Sequence, residues 1–423
     1  MTRLRSERYV LLQMISVREA LDTILADVQP LGRERVALLQ ARSRSLAESV
    51  HATRNVPPFR NSAMDGYAVR ADDIATADGD HSIRLRVLEV VAAGDVPTRA
   101  VEAGTATKIM TGALMPEGAD AVVRVEDTAE RDGVVTVQRG VKPGTNVRHP
   151  GEDMRLGDEV LSAGRILEPA DIGLLASLGN ATVLVRRRPE AAILATGDEL
   201  VELGEPLAAG QIANSNAYTL AAAVEEAGAV PRILGIVRDT PETMHSAFSD
   251  AFRSDVVLST GGVSMGTFDL VRGTLRDLGC VERFWKVAQK PGKPLSFNVR
   301  GSTPVFGLPG NPVSALVCFY LYVRPTLRAM LGIPQLHLPV VDAQLADDVK
   351  TSEGLTDFVR GVLEPNADGY RARVTGTQSS GALRSMSLGQ GLIVSPPEMR
   401  ILSRGSTVRV IKLGEESSID APF

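Results

Sequence analysis

The sequence predicts a multidomain α/β plus β protein, with a central three-layer α/β domain flanked by helical and β segments. Three observations predict it. Between residues 188 and 332, short apolar runs alternate with stretches of helical periodicity, the pattern of buried parallel strands joined by crossover helices. Residues 55–147 and 338–413 instead show short alternating runs separated by turn residues. Helical spacing precedes the first of these β stretches and resumes near residues 171–175, so that stretch reads as an insertion into a helical segment. A chain of 423 residues has room for about two to four such domains.

The elements follow in order. Ser16 is a helix N-cap with Glu19 three residues on, and Val17, Ala20, Leu21, Ile24 and Leu25 fall at helical spacing in a helical segment running to about residue 52. Runs at 83–87, 121–125 and 134–137 read as strands, the last two joined by an Asp132-Gly133 turn. In the central region 191–195, 233–237, 255–259 and 305–308 read as strands. Helices follow at 216–227, stopped by Gly228, after Thr240-Pro241-Glu242, at 268–278, stopped by Gly279, and from Val313 onward. The first dozen residues read as a loose extension and 415–423 as a frayed end.

Composition excludes several classes. A formal net charge of -5 and 4% aromatic residues do not make a nucleic-acid surface, which needs clustered basic charge and stacking rings. The cysteines, Cys280 and Cys318, are too few for a disulfide framework or a structural zinc site and fit a reducing cytoplasm. The N-terminal apolar run, residues 9–12, is too short for a signal peptide, and no stretch approaches the roughly 20 apolar residues of a membrane span. No nucleic-acid or membrane partner is expected.

In an open α/β sheet, ligands bind beyond the carboxyl ends of the strands. Four loops there carry unusual chemistry: TGDEL at 196–200, RDT at 238–240, STGGVSMGTFD at 259–269, and GLPGNPVSA at 307–315. Each sets a glycine-rich or capped approach beside a helix start, a physical recipe for holding an anion. The third loop is neither a Walker loop nor a dinucleotide fingerprint, since both spacings are absent. Glu199, Asp239 and Asp269 would repel a bound phosphate unless a cation lay between, and Mg²⁺ held by one or two carboxylates plus substrate phosphates resolves the conflict. The segment WKVAQKPGKP at 285–294 adds lysines as point charges for an oxyanion. Lys286 and Lys290, four apart, are expected in phase on one strand and so on one face. Outside the sheet, 57–68, 109–112 and 151–153 are dense in specific residue types without regular periodicity.

Together these motifs resemble the molybdopterin molybdenumtransferase family, the bacterial MoeA proteins, related to the E domain of gephyrin and of the plant Cnx proteins. The resemblance is carried by SAMDGYA (62–68), IMTG (109–112), PEGADAVV (116–123), GED (151–153), TGDEL, STGGVSMG (259–266), FWKVAQKPGKP (284–294) and GLPGNPVSA, which span most of the chain. It implies a discontinuous helical linker domain (14–54 and 148–187), an inserted β domain (55–147), a central α/β domain of the MogA/MoaB type (188–333) and a C-terminal β barrel (334–417). It also implies a homodimer and a cytoplasmic activity: Mg²⁺-assisted insertion of molybdate into adenylylated molybdopterin, with release of AMP. Handover from the adenylyltransferase and other proteins of the cofactor pathway is implied as well.

By that resemblance Gly261, Gly262 and Ser264 line the phosphates, and Asp269, Glu199 and Asp239 hold Mg²⁺. Lys286, Lys290, Pro309, Gly310, Asn311 and Pro312 shape the pterin and molybdate pocket. Asp65, Thr111 and Asp153 match motif positions of the inserted domain, and Arg360 and Ser385 positions of the last domain. The sequence departs from the family at Phe268, where a tyrosine is usual, and at His149-Pro150, where a second basic residue is usual. The central domain alone also resembles the molybdopterin adenylyltransferases, but these lack the flanking domains and the SAMDGYA segment. A non-catalytic scaffold of the same fold is a third reading, against which the carboxylates Asp65, Glu199, Asp239 and Asp269 weigh.

Overall fold

A computed structural model describes residues 14–261, 265–367 and 369–414, with the backbone alone at 265–269. The chain divides into two compact units. One comprises Val36–Arg42 and Glu48–Val183; the other comprises the described residues up to Arg35, Ser43–Ala47, and those from Leu184 onward.

The first unit is built on a six-stranded sheet in the order Ala121–Arg124, Gly66–Val69, Thr105–Ile109, Asp78–Val91, Val134–Arg139, Thr128–Arg131. The period-two alternation is visible in its packing. Tyr67 and Val69 enter one apolar cluster with Leu85, Val123 and Val135. Their neighbour Ala68 enters the opposite cluster with Ile109 and Val122. The Asp132-Gly133 turn closes a hairpin, with both residues at positive φ, +52° and +73°, but the strand it joins to Val134–Arg139 is Thr128–Arg131; Ala121–Arg124, expected in that place, pairs with Gly66–Val69 instead. The helix Pro169–Ser177 starts with proline in its first turn and a reciprocal Glu168/Asp171 cap.

The second unit holds the α/β layer. Its sheet runs Val230–Val237, Glu190–Thr196, Val256–Gly261, Thr303–Leu308, Ser296–Arg300, Val281–Trp285. The first four strands are parallel, as expected, and Ser296–Arg300 alone runs against the others, antiparallel to both Thr303–Leu308 and Val281–Trp285. The sheet is therefore mixed: the crossover after Val256–Gly261 lands on the edge strand Val281–Trp285 in the common direction, and the chain then returns antiparallel as Ser296–Arg300 before Thr303–Leu308. Alternation again separates two cores. Ala191 and Ile193 pack under the helices Ser215–Glu226 and Pro312–Cys318, while Ala192 and Leu194 pack under Pro241–Ala251 and Met265–Asp277. These are the three layers read from the sequence.

Several local expectations are corrected. The helical segment 16–52 is helical only over Val17–Ala26 and the short turn Leu38–Ala41, while Arg33–Ala37 is a strand. The capping box at Ser16 and Glu19 forms as read, and Ala20 and Ile24 enter the large apolar cluster of the α/β layer. The helix read at 268–278 begins earlier, as Met265–Asp277. After Thr303–Leu308 the chain runs through Pro312–Cys318, a π-helical turn Phe319–Val323 and Arg324–Met330.

The C-terminal strands close on themselves. Thr356–Asn366, Gly369–Val374, Val340–Leu345, Thr407–Lys412 and Gly391–Ser395 pair in a ring, giving a five-stranded barrel without free edges inside it. The short strand Gln289–Lys290 adds to Thr356–Asn366 in parallel. The architecture is thus multidomain α/β plus β. Among the described residues no helix is long and apolar enough to cross a membrane.

Candidate functional site

The strand order places the first strand, Glu190–Thr196, between the second and third, so the direction of winding reverses between Thr196 and Gly261. Ligands bind at such a reversal, beyond the carboxyl ends of the strands. Thr196 lies in register with Gly261, and Thr260 with Leu308, so three of the expected loops leave the sheet side by side. Gly261 has φ +93°, and a Cβ there would be driven into the carbonyl oxygen of Thr196. Asn216, at the start of its helix, ties the edge together: its Nδ2 donates to Thr260 Oγ1 at 2.8 Å and to Gly310 O at 2.8 Å. Thr260 Oγ1 in turn donates to Pro309 O at 3.2 Å.

A cavity of about 500 Å³ opens on this edge, lined by Glu199, Asn216, Thr260, Gly261, Gly310, Asn311 and Pro312 among others. Glu199 is held there because its loop is short: Leu200–Val201 pairs with Ile212–Ala213, and Ile212 N donates to Glu199 O at 2.9 Å. Asn311 occupies the N-cap position and Pro312 the first helical position, as expected, but the Asn311 side chain makes no capping bond.

Across the Pro309–Asn311 turn lies a second cavity, of about 520 Å³, which shares Gly310 and Asn311 with the first. Its wall carries Lys290, Lys293, Lys350 and Arg360 against a single acid, Asp357. Arg360 is only 2% exposed. Its Nε donates to Ser385 Oγ at 3.1 Å, and its Nη2 donates to Thr377 O at 3.3 Å and Ser379 O at 2.9 Å. Burial pulls the guanidinium below its usual value, and no carboxylate is bonded to it among the described residues. A buried cation held only by neutral acceptors has its charge available to an anion.

Asp357 is 3% exposed, with Oδ2 accepting from Ser352 N at 2.8 Å and Oδ1 buried without a partner. Burial pushes its carboxyl up, against the opposing pull of the Ser352 N–H and of Lys290. The folded state therefore keeps the Asp357 proton to higher pH than the unfolded chain does, and stability falls as pH rises from the ordinary carboxylate range through the folded value. Asp357→Asn removes that penalty. Thermal denaturation across pH is expected to find the variant more stable than wild type by about 1 kcal/mol at neutral pH, with the gap closing in acid.

The remaining expected residues are dispersed. Asp65 accepts from Thr111 N at 2.7 Å and Thr111 Oγ1 at 2.8 Å, which holds its carboxyl below the usual range. Asp153 sits in the turn closed by its own N–H on Val56 O at 3.0 Å. Asp65, Thr111 and Asp153 all belong to the first unit. Asp239 follows the strand Val230–Val237 and is not on the wall of either cavity. Gly262, Ser264 and the side chain of Asp269 lie outside the described residues. Among the described residues no three His, Cys, Asp or Glu side chains gather as a metal site.

One expectation is overturned. Lys286 and Lys290 do not share a strand face, because the strand ends at Trp285 and Lys286 takes φ +74°. Its ammonium turns onto the Trp285 ring, 3.7 Å from the centroid, and Lys290 starts again on a different sheet. The cavity wall instead carries Lys293, which the sequence offered as the third lysine of the same segment. Lys350, Asp357, Gln378 and Asn216 were not foreseen: none sits in a glycine-rich motif, and each reaches its place through long-range pairing.

Comparison with known proteins agrees with this arrangement. Residues 15–179 match the model of the MoeA N-terminal region (domain I and II), 192–329 that of a probable molybdopterin binding domain, and 342–413 that of the MoeA C-terminal region (domain IV). The molybdopterin molybdenumtransferase of Haemophilus influenzae is 38% identical over 402 residues, covering 94% of this chain and 98% of that protein. The enzyme of the same name from a Nostoc species is 37% identical over 410 residues, covering 95% and 94%. The crystal structure of a molybdopterin biosynthesis MoeA protein from Pyrococcus horikoshii superposes with a TM-score of 0.84 at 31% identity, covering 96% of this chain and 100% of that one. With its three regions in family order and near-complete mutual coverage, this chain belongs to the molybdopterin molybdenumtransferase family.

Proposed function

We propose that this chain inserts molybdenum from molybdate into the dithiolene of adenylylated molybdopterin and releases AMP. One observation carries the proposal: a cavity with four cationic side chains adjoins a cavity with a carboxylate on the sheet edge, and the two meet at Gly310 and Asn311. A tetrahedral dianion needs compensating positive charge and donors, which Lys290, Lys293, Lys350 and Arg360 supply. The phosphate-bearing part of the substrate belongs at the winding reversal, where Gly261 permits close backbone approach and Pro309, Gly310, Asn311 and Pro312 form the opposite wall. The Ser385 hydroxyl supports Arg360 from behind.

Glu199 on the cavity wall fits a Mg²⁺ that takes its other ligands from phosphate and water, with Asp269 and Asp239 as further donors of the same assignment. When bound, Mg²⁺ supplies charge neutralisation at the pyrophosphate. Gly262 and Ser264 continue the phosphate wall, and Lys286 remains assigned to the substrate side through its strained backbone, a frequent mark of function. Asp65, Thr111 and Asp153 are assigned to substrate handling from the first unit. The homodimer, the cytoplasmic setting and contact with the adenylyltransferase belong to the same proposal.

The test is a single-turnover reaction of the purified full chain with adenylylated molybdopterin and molybdate. AMP release in step with molybdenum loading, and dependent on Mg²⁺, is the expected result. Consumption of ATP with plain molybdopterin would identify an adenylyltransferase instead, and binding without turnover a scaffold.

A further inference from the structure

Behind the basic cavity lies a polar cluster that the chemistry above does not use. Gln289 is fully buried, with 0% exposure, and every polar atom of its side chain is engaged. Its Oε1 accepts the hydroxyl of Tyr322, and its Nε2 donates to Pro291 O at 3.1 Å and to Cys318 Sγ at 3.5 Å. The Cys318 thiol donates to Gly292 O at 3.6 Å. Burial drives both the Tyr322 hydroxyl and the Cys318 thiol far up, so both keep their protons and act as donors. The amide orientation is thereby set: only Oε1 can accept from Tyr322.

Two features show that the arrangement is built around the turn. Gly292 has φ +96°, and a Cβ there would collide with Gln289 Nε2 and Cys318 Sγ, so the cluster reaches the turn only because the residue is glycine. Tyr322 arrives from the π-helical turn Phe319–Val323, an irregularity that shifts its position relative to an unbroken helix and that recurs near functional sites. The two backbone carbonyls held from the core, of Pro291 and Gly292, lie between Lys290 and Lys293, both of which line the basic cavity.

We propose that Gln289 and Tyr322, assisted by Cys318, are positioning residues that fix the Lys290–Lys293 turn and thereby set the oxyanion affinity of the cavity whose wall Gln289 shares with the two lysines. This rests on the oxyanion reading of that cavity. The two lysines are long and flexible, so their ammonium groups sit at a defined separation only if the backbone between them is pinned. Backbone bonds hold the far end of that stretch, Val287 N donating to Lys293 O at 2.9 Å and Leu295 N to Gly292 O at 3.2 Å, while Pro291 O, next to Lys290, is held by the Gln289 side chain.

The test uses the full chain and the double variant Gln289→Met, Tyr322→Phe. It replaces both partners with apolar groups of similar shape, which keeps the core filled and leaves only the Pro291 carbonyl without the donor whose role is being tested. Circular dichroism is expected to show it folded, with a modest drop in thermal midpoint from the Pro291 carbonyl that loses its donor. Molybdate alone is titrated calorimetrically into both proteins, and amide hydrogen exchange is followed in the peptide covering 289–295. The expected result is molybdate affinity weakened about tenfold, the scale on which supporting partners act on a binding group, with faster exchange in that peptide. The single variants Tyr322→Phe and Gln289→Asn are each expected to weaken binding too, the second because the shorter side chain cannot reach both Tyr322 and Pro291. Wild-type protein that binds molybdate, with a folded double variant that binds it equally well and exchanges equally slowly, overturns this inference alone. Wild-type protein that takes no molybdate overturns the oxyanion reading, and this inference with it.

Discussion

Gly261→Ala is expected to lose about 2–4 kcal/mol of stability together with its activity. The residue ends the third parallel strand at φ +93°, and its Cα packs directly against the backbone of the first strand. A methyl group there must either push the Thr196 carbonyl out of the sheet edge or force the strand to end early. Gly310 approaches the same point, with its own Cβ position 3.4 Å from the Gly261 Cα, so a displaced Gly261 also opens the wall shared by the two cavities. Thermal or urea denaturation measures the loss. Gly273→Ala is the control: this glycine lies inside the helix Met265–Asp277 with open space where the methyl would go, and its replacement is expected to add about 0.5–1 kcal/mol. A Gly261→Ala protein as stable as wild type would show that the edge is looser than its geometry implies.

Arg360→Met is expected to weaken molybdate binding about 10–100-fold and to cost about 3 kcal/mol of stability. The methionine fills most of the space but leaves the carbonyls of Thr377 and Ser379 without their donor. Those carbonyls shape the loop whose next residue, Ser380, accepts from Val313 N at 3.1 Å, at the start of the helix after the Pro309–Pro312 turn. One guanidinium thus organises both sides of the basic cavity. Arg360→Lys is expected to recover little, because a single ammonium cannot span Ser385 Oγ and two diverging carbonyls. Calorimetric titration with molybdate, beside denaturation, separates the binding loss from the stability loss.

What could be read from the sequence was whatever is decided locally. The Ser16/Glu19 cap, the Asp132-Gly133 turn (though not the strand expected before it) and the proline starts at Pro241 and Pro312 each depend on residues within a few positions, and each formed. Apolar periodicity likewise separated parallel strands from helices, because burial on both faces leaves continuous apolar runs. The reversal of winding between Thr196 and Gly261 followed from that alternation only once the strand order was known.

The basic cavity was harder to foresee. Lys290 faces it because Gln289–Lys290 joins the barrel strand Thr356–Asn366, a pairing across more than sixty residues of sequence that no local spacing announces. Lys286 went elsewhere because positive φ breaks the strand, and an L-residue in that conformation gives no compositional warning. Asp357 and Gln289 are polar residues whose burial is fixed by the folding of the whole unit.

The proposed function requires that the cavity beneath Lys290, Lys293 and Arg360 receive the oxyanion. Diffraction from crystals soaked in molybdate, recorded at the molybdenum absorption edge, tests it most directly. The expected result is one strong anomalous peak within hydrogen-bonding distance of the Lys290 or Lys293 ammonium and the Arg360 guanidinium, absent from Arg360→Met crystals. A peak confined to the Glu199 cavity, or to surface lysines with this cavity empty, would contradict it.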